Sequence, residues 1–197
     1  MLLVADLVAP AAHAAAVALP QMIPPAMPKM TPALYPRVIE KREVVTELKV
    51  VSEKQGKRYQ VFSSLLIRSP MAKVRKELLF FPNYKKLSRF MKRVEYSPGD
   101  HMLLMTGGVL SLEFGAILQV NERAENWIHF TGMTEPSQGL PGDLYLKPLN
   151  PNETIVYLLG EFRIDETRTP DILVEKASQI VVGATADRIR TLIETGQ

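Results

Sequence analysis

The chain has 197 residues, 46% of them hydrophobic and 23% charged, with a formal net charge of +3; that size buries one good core, leaves little room for a second, and shows none of the depletion that marks a disordered protein. The mild positive balance falls short of the dense basic surface of a nucleic-acid binder, so no nucleic acid is expected as a partner. Cysteine is absent, which excludes disulfide frameworks, thiolate nucleophiles and Cys-ligated metal sites in one step.

Residues 1–19 are apolar and Ala-rich and contain Ala12-His13-Ala14, the small-x-small pattern that signal peptidases accept. They read as an export signal, so the protein is expected to be exported, in the periplasm, although no Lys or Arg precedes the apolar run. The alternative is an Ala-rich tail on a cytoplasmic protein. A membrane anchor is disfavoured because Asp6 and Pro10 interrupt a run already shorter than the roughly 20 apolar residues of a span. Prolines at 20, 24, 25, 28, 32 and 36, with no apolar period between them, predict an extended spacer over 20–36. The folded domain, 37–197, is expected to begin near Arg37.

The stretch EVVTELKVVSEKQGKRYQVFSSLLI predicts a β-hairpin turning at Gln55-Gly56. Ser69-Pro70 then reads as an N-cap and first helical residue, and Met71, Val74, Leu78 and Phe81 keep helical spacing. Pro82-Asn83 interrupts that helix, and YKKLSRFMKRV resumes it with Tyr84, Leu87, Phe90 and Met91 on one side. The basic residues Lys85, Lys86, Arg89, Lys92 and Arg93 then share a stripe. Such a stripe can sit on anionic lipid headgroups at about 1 kcal/mol per residue, or be an ordinary solvated helix face.

Beyond the turn at Ser97-Pro98-Gly99-Asp100 the chain becomes β-rich, with strands in HMLLMTGGVL, SLEFGAILQV, NWIHFTGM, DLYLKPL and TIVYLLGEFRI, the first of them ending in a turn at Gly107-Gly108. Sequential short strands make an antiparallel meander. Thr169-Pro170-Asp171 caps a terminal amphipathic helix with a stripe at Leu173, Ala177, Ile180 and Ala184 and Val174, Val181, Ile189 and Leu192 beside it. The fold class is therefore α+β, an antiparallel sheet with a long C-terminal helix across it.

Charged residues mark the outward positions of each strand, since successive side chains alternate faces. Lys147 places Leu144 and Leu146 inside, and Glu161 with Arg163 places Val156, Leu158, Gly160 and Phe162 inside. Glu113 and Gln119 leave Phe114, Ala116 and Leu118 inward, and His129 leaves Ile128 and Phe130 inward. The helix meets this surface with small residues in its middle, which either interdigitate into a solid core or leave a cavity. In the last strand Ile155, Tyr157 and Leu159 make the second face apolar too, so something must cover it.

Several of these residues together resemble the START-like, helix-grip (SRPBCC) superfamily, in particular its polyketide cyclase/dehydrase and lipid-transport group, which includes coenzyme Q-binding proteins. They are Leu65-Leu66-Ile67-Arg68-Ser69-Pro70, Val74 and Leu78, Tyr84, Trp127 to Gly132, Gly142-x-Leu-x-Leu-x-Pro148, Thr154-x-Val156, Pro170 and the terminal helix. The resemblance spans about Glu43 to Glu194 and rests on strand lengths and turns. It departs where Phe80-Phe81-Pro82 replaces an Asp-containing segment, and at Leu144, where a large aromatic is common. It implies a curved sheet gripping the helix around an apolar cavity that binds lipids, isoprenoids, sterols or polyketides. On that basis the ligand-lining residues are expected to be Phe114, Leu118, Ile128, Phe130, Leu144, Leu146, Val156, Leu158, Phe162, Leu173, Ile180 and Ala184. The second face would then be covered by the leading strand or the proline-rich segment.

Chemistry is thinly provided for. His13, His101 and His129 are the only histidines, and none has the spacing of a metal pair. Glu161 points outward by alternation, and Asp165 and Glu166 fall in a turn. No catalytic residue, metal or cofactor is expected. The leading expectation is a binder of a hydrophobic small molecule, with a cyclase or dehydrase using the same cavity, or an interaction module with the cavity filled, as alternatives.

Overall fold

The computed structural model describes residues 30–53, 56–109, 112–135, 137–164 and 170–196. The export signal, the first part of the spacer, Gln55 of the hairpin turn, the Asp165 and Glu166 turn and Thr169 lie outside them. In chain order the elements are a one-turn π-helix (Pro36–Glu40), β1 (Val45–Ser52), β2 (Lys57–Ile67), α1 (Met71–Leu79), α2 (Pro82–Leu87), β3 (Met91–Ser97), β4 (Met102–Val109), β5 (Leu112–Ala124), β6 (Trp127–Gly132), β7 (Pro141–Asn150), β8 (Glu153–Ile164) and α3 (Asp171–Thr195). The strands form one antiparallel sheet in the order β1-β2-β8-β7-β6-β5-β4-β3. The sheet curves around α3 as expected.

The expected helix over YKKLSRFMKRV is a short helix and a strand. Pro82 restarts the helix with its fixed φ and missing N–H, but α2 ends at Leu87 and Ser88 is already extended. From Met91 the chain pairs with β4, Tyr96 opposite Leu103 and Val94 opposite Met105. Apolar residues at 87, 90, 91 and 94 fit a helical period, while 94 and 96 fit a strand; the free edge of β4 decides between them, because its N–H and C=O groups need partners. The helix caps also shift by one residue. Pro70 and Pro170 occupy the N-cap positions of α1 and α3, and neither cap makes a side-chain hydrogen bond.

Gly107-Gly108 lies inside β4 and makes no turn. A Cβ at Gly107 would stand 2.3 Å from the Phe90 carbonyl oxygen and 2.4 Å from Cζ of Phe114. The glycine therefore serves close approach of neighbouring chain.

Register confirms the assigned faces of β5 to β8. Leu65 pairs with Val156, Ser63 with Leu158 and Val61 with Gly160; Leu144 pairs with Leu158 and Leu146 with Val156. Ile128 and Phe130 follow on β6. Of these, Leu65, Ile128, Leu144, Leu146 and Val156, with Phe130 and Leu158 beside them, share the main core with Val74, Leu78, Ile189 and Ile193 of α1 and α3.

The opposite face carries a second core, in which Leu66, Trp127, Tyr145, Ile155 and Tyr157 pack with Leu34, Val38 and Val45. Part of the expected spacer is thus folded: Leu34 is buried and Val38 is fully so, and a side chain of that size contributes about 2 kcal/mol on burial. The domain begins before Arg37 because the apolar second face must be removed from water, and the chain just ahead of β1 is the nearest covering. That cover holds a polar network. Asp143 accepts hydrogen bonds from Trp127 Nε1 at 2.7 Å and from His129 Nδ1 at 2.8 Å. Trp127 stacks on Tyr145 with ring centroids 6.0 Å apart.

Candidate functional site

The candidate site is the part of the inner face of the sheet that α3 leaves uncovered. Two polar clamps set the position of α3. At its N-terminus Asp171 accepts both Oδ bonds from Lys57 Nζ at 2.9 Å and one from the Tyr59 hydroxyl at 2.8 Å. Lys57 and Tyr59 together hold the Asp171 carboxyl below its ordinary value. Burial, with the Asp171 carboxylate beside it, pushes the Tyr59 phenol up to about 12, so it keeps its proton and serves as a donor. At the other end Glu194 accepts from the Arg68 backbone N–H at 2.7 Å and pairs with Arg42. Burial alone would raise the Glu194 carboxyl, but the Arg68 N–H and the Arg42 guanidinium outweigh it and leave it below its usual range.

Both clamps tie α3 to the β1–β2 edge. The close backbone neighbours of α3 are β1, β2, α1 and α2. The inner rows of β5 to β8 are consequently closed at one end and open at the other. At the closed end Ile128, Leu144, Leu146 and Val156 are buried against Ile189, Ile193, Val74 and Leu78. At the open end Leu118, Phe130, Leu158 and Phe162 are only half-buried. Between Leu158 and Phe162 sits Gly160, and no atom lies within 4 Å of the place its Cβ would take. Phe162 stacks on Tyr59 at 5.2 Å, and Phe114 packs over Gly107.

The expected residues therefore fall into three groups. Ile128, Leu144, Leu146 and Val156 belong to solid core; Phe114, Leu118, Phe130, Leu158 and Phe162 stand along the open row; the three expected from α3 do not face the sheet's interior as a set. Leu173 is half-buried, Ile180 is 38% exposed and Ala184 is exposed. The buried residues of α3 are Val174, Ala177, Thr185, Ile189 and Ile193. Apolar residues run all around the middle of this helix, so periodicity leaves its rotation open. What settles it is a polar residue: Thr185 turns inward because its hydroxyl donates to Ser88 Oγ at 3.0 Å.

Sequence reasoning missed Val94, Tyr96, Leu103 and Met105, which pack against the main core. The alternation in HMLLM was visible, but no charged residue marked its outer face. It also missed the partner of His129, because Asp143 lies on the neighbouring strand, directly across from it.

The expected basic stripe does not exist as one helical face. Lys85 and Lys86 are on α2, Arg89 follows it, and Lys92 and Arg93 are on β3. Lys92 pairs with Glu113 and Arg93 with Glu95, each at 2.7 Å. Those pairs neutralise two of the charges the membrane reading needed.

Arg89 instead borders a cavity of about 220 Å³ with Ser88, Phe90, Ala184 and Arg188. Its guanidinium carbon stands 5.0 Å over the Phe90 ring. Among the described residues no three His, Asp or Glu side chains gather as metal ligands would, and no helix is long and apolar enough to cross a membrane. Glu161 points to the outer side, held by Arg58 at 3.0 Å and Gln60 at 2.7 Å.

No family model and no curated protein matches the chain. Solved structures do. A START superfamily protein from Mycobacterium smegmatis is similar at a TM-score of 0.58 and 14% identity, over 70% of this chain and 99% of that one. The Zhui aromatase/cyclase from a Streptomyces species is similar at 0.58 and 14%, over 70% of this chain and 94% of the other. A conserved protein from Geobacillus kaustophilus gives 0.56 and 14%, over 68% and 94%. At such identities the likeness is one of fold, and the fold is the START-like helix grip.

Proposed function

We propose that this START-like helix grip binds a hydrophobic small molecule, of lipid, isoprenoid or polyketide-like character, between the inner face of the sheet and α3, with no covalent step. The observation that carries the reading is the open half of the inner row. Large apolar side chains at Leu118, Phe130, Leu158 and Phe162 are left half-buried, and the Cβ direction of Gly160 meets no atom. Covering such a row with ligand yields about 25 cal/mol for each Å² removed from water. The neighbours of this fold, a START superfamily protein and an aromatase/cyclase by name, support a small-molecule site. Carrier action is favoured over catalysis because Tyr59, which stacks on Phe162 of the row, and Asp171 are spent on each other and on Lys57.

The test uses the uncharged fluorescent probe N-phenyl-1-naphthylamine. It is expected to bind the wild-type protein and to bind Gly160→Leu at least tenfold more weakly, with no loss of thermal stability. Equal binding by the two would reject the site, and no binding by either would favour the interaction-module reading.

The Ala-rich residues 1–19 support export. Cell fractionation is expected to recover a shortened protein outside the cytoplasm; the whole chain confined to the cytoplasm would reject this.

A further inference from the structure

The cavity beside Ser88 lies at the Phe114 end of the inner row. Its wall residue Phe90 gives its carbonyl oxygen to the Gly108 N–H at 3.0 Å and stands against Gly107, where Phe114 of the row also packs. At about 220 Å³ it is smaller than the roughly 300 Å³ at which pockets begin to hold a whole drug-sized ligand. It fits one end of a molecule whose remainder lies elsewhere.

The lining specifies which end. Arg89 and Arg188 approach from different elements, the link after α2 and the middle of α3, and among the described residues neither has a carboxylate partner. Elsewhere the guanidiniums of Arg42, Arg58, Arg75, Arg163 and Arg190 each hold one. Phe90 lies under the Arg89 guanidinium carbon at 5.0 Å, a cation–π contact that uses none of its hydrogen-bond donors. Ser88 is buried and its oxygen accepts from Thr185, so its own proton remains to donate. Two guanidiniums and a hydroxyl proton are all donors, and two of the three are cationic. That is a receptor for an oxyanion, with the forked geometry that carboxylate and phosphate match.

We propose that this cavity takes the carboxylate or phosphate monoester end of the ligand whose apolar part lies on the inner row, with Arg89, Arg188 and Ser88 as its donors. The proposal rests on the hydrophobic-ligand reading for the placement of the tail and on the cavity alone for the anion.

Oleate and its uncharged methyl ester separate the two. The wild-type protein is expected to bind oleate at least tenfold more tightly than methyl oleate, the margin shrinking as salt is raised. The double variant Arg89→Gln/Arg188→Gln is expected to bind both equally, at the wild-type affinity for methyl oleate. A wild-type protein indifferent to the charge, or a double variant that keeps the preference, would overturn the proposal. Should neither lipid bind, inorganic phosphate decides: shifts of the Arg89 and Arg188 side-chain NMR signals, absent when the partner arginine is Gln, would uphold the anion site while the tail reading fails. No shift would overturn both. Dodecyl phosphate beside inorganic phosphate tells a lipid headgroup from a free anion, since only the former gains affinity from its tail.

Discussion

The two faces of β6, β7 and β8 carry similar apolar side chains and end differently. On the outer face Trp127, Tyr145 and Tyr157 are buried under Leu34 and Val38, and even the polar groups are closed into the Asp143 network. On the inner face α3 leaves half the row open. The difference lies in how each cover is held. The outer cover is continuous with β1 and seats apolar residues directly into the face. The inner cover is a stiff rod pinned at both ends to the β1–β2 side by Asp171 and Glu194, and it seals β6 to β8 only around Ile189 and Ile193. A sheet can thus be sealed on one side and left partly exposed on the other, according to where polar anchors fix the covering element.

The largest loss of stability is expected from opening the outer network. Asp143→Ala leaves the Trp127 N–H and the His129 ring nitrogen without their buried acceptor. A loss of about 3 kcal/mol is expected in urea unfolding, since each orphaned buried group costs about 1–3 kcal/mol. Probe binding on the inner face should be unchanged, and coupled loss of both would break the distinction between the faces.

Val38→Ala thins the outer cover itself and should cost about 2 kcal/mol. A change below a few tenths would mean that residues 30–40 do not seal this face.

The end clamp of α3 has a pH signature. Because the Glu194 carboxyl is depressed in the folded state, its contribution is present above the ordinary carboxylate range and is lost as pH falls through the folded value. Glu194→Gln is therefore expected to be less stable than wild type at neutral pH by about 1 kcal/mol. The two stabilities should converge in acid. A constant difference across the range would assign the effect to packing.

Much of this was legible in the residues. The period-2 alternation of β5 to β8, marked by Glu113, Lys147 and Glu161, located the inner rows, because side-chain direction in a strand is a local property. The tertiary clues were not. Asp143 meets His129 across a strand pair, and the Arg89–Arg188 cavity joins residues far apart in the chain; neither leaves a spacing signal. The helix expected over 84–94 failed because a short run of apolar residues fits two periods, and a strand edge elsewhere chose one.

The faces of the central strands and the apolar character of both were determined by sequence alone, since each follows from neighbours a few residues apart. The sequence also pointed to the leading strand or the proline-rich segment as the cover of the outer face, and both supply it; the tertiary structure decided the rotation of α3, the pairing of β3 and which part of the inner row stays exposed. Those depend on which distant donors and acceptors find each other when the apolar surfaces close, and a buried polar group accepts only a geometry that satisfies it.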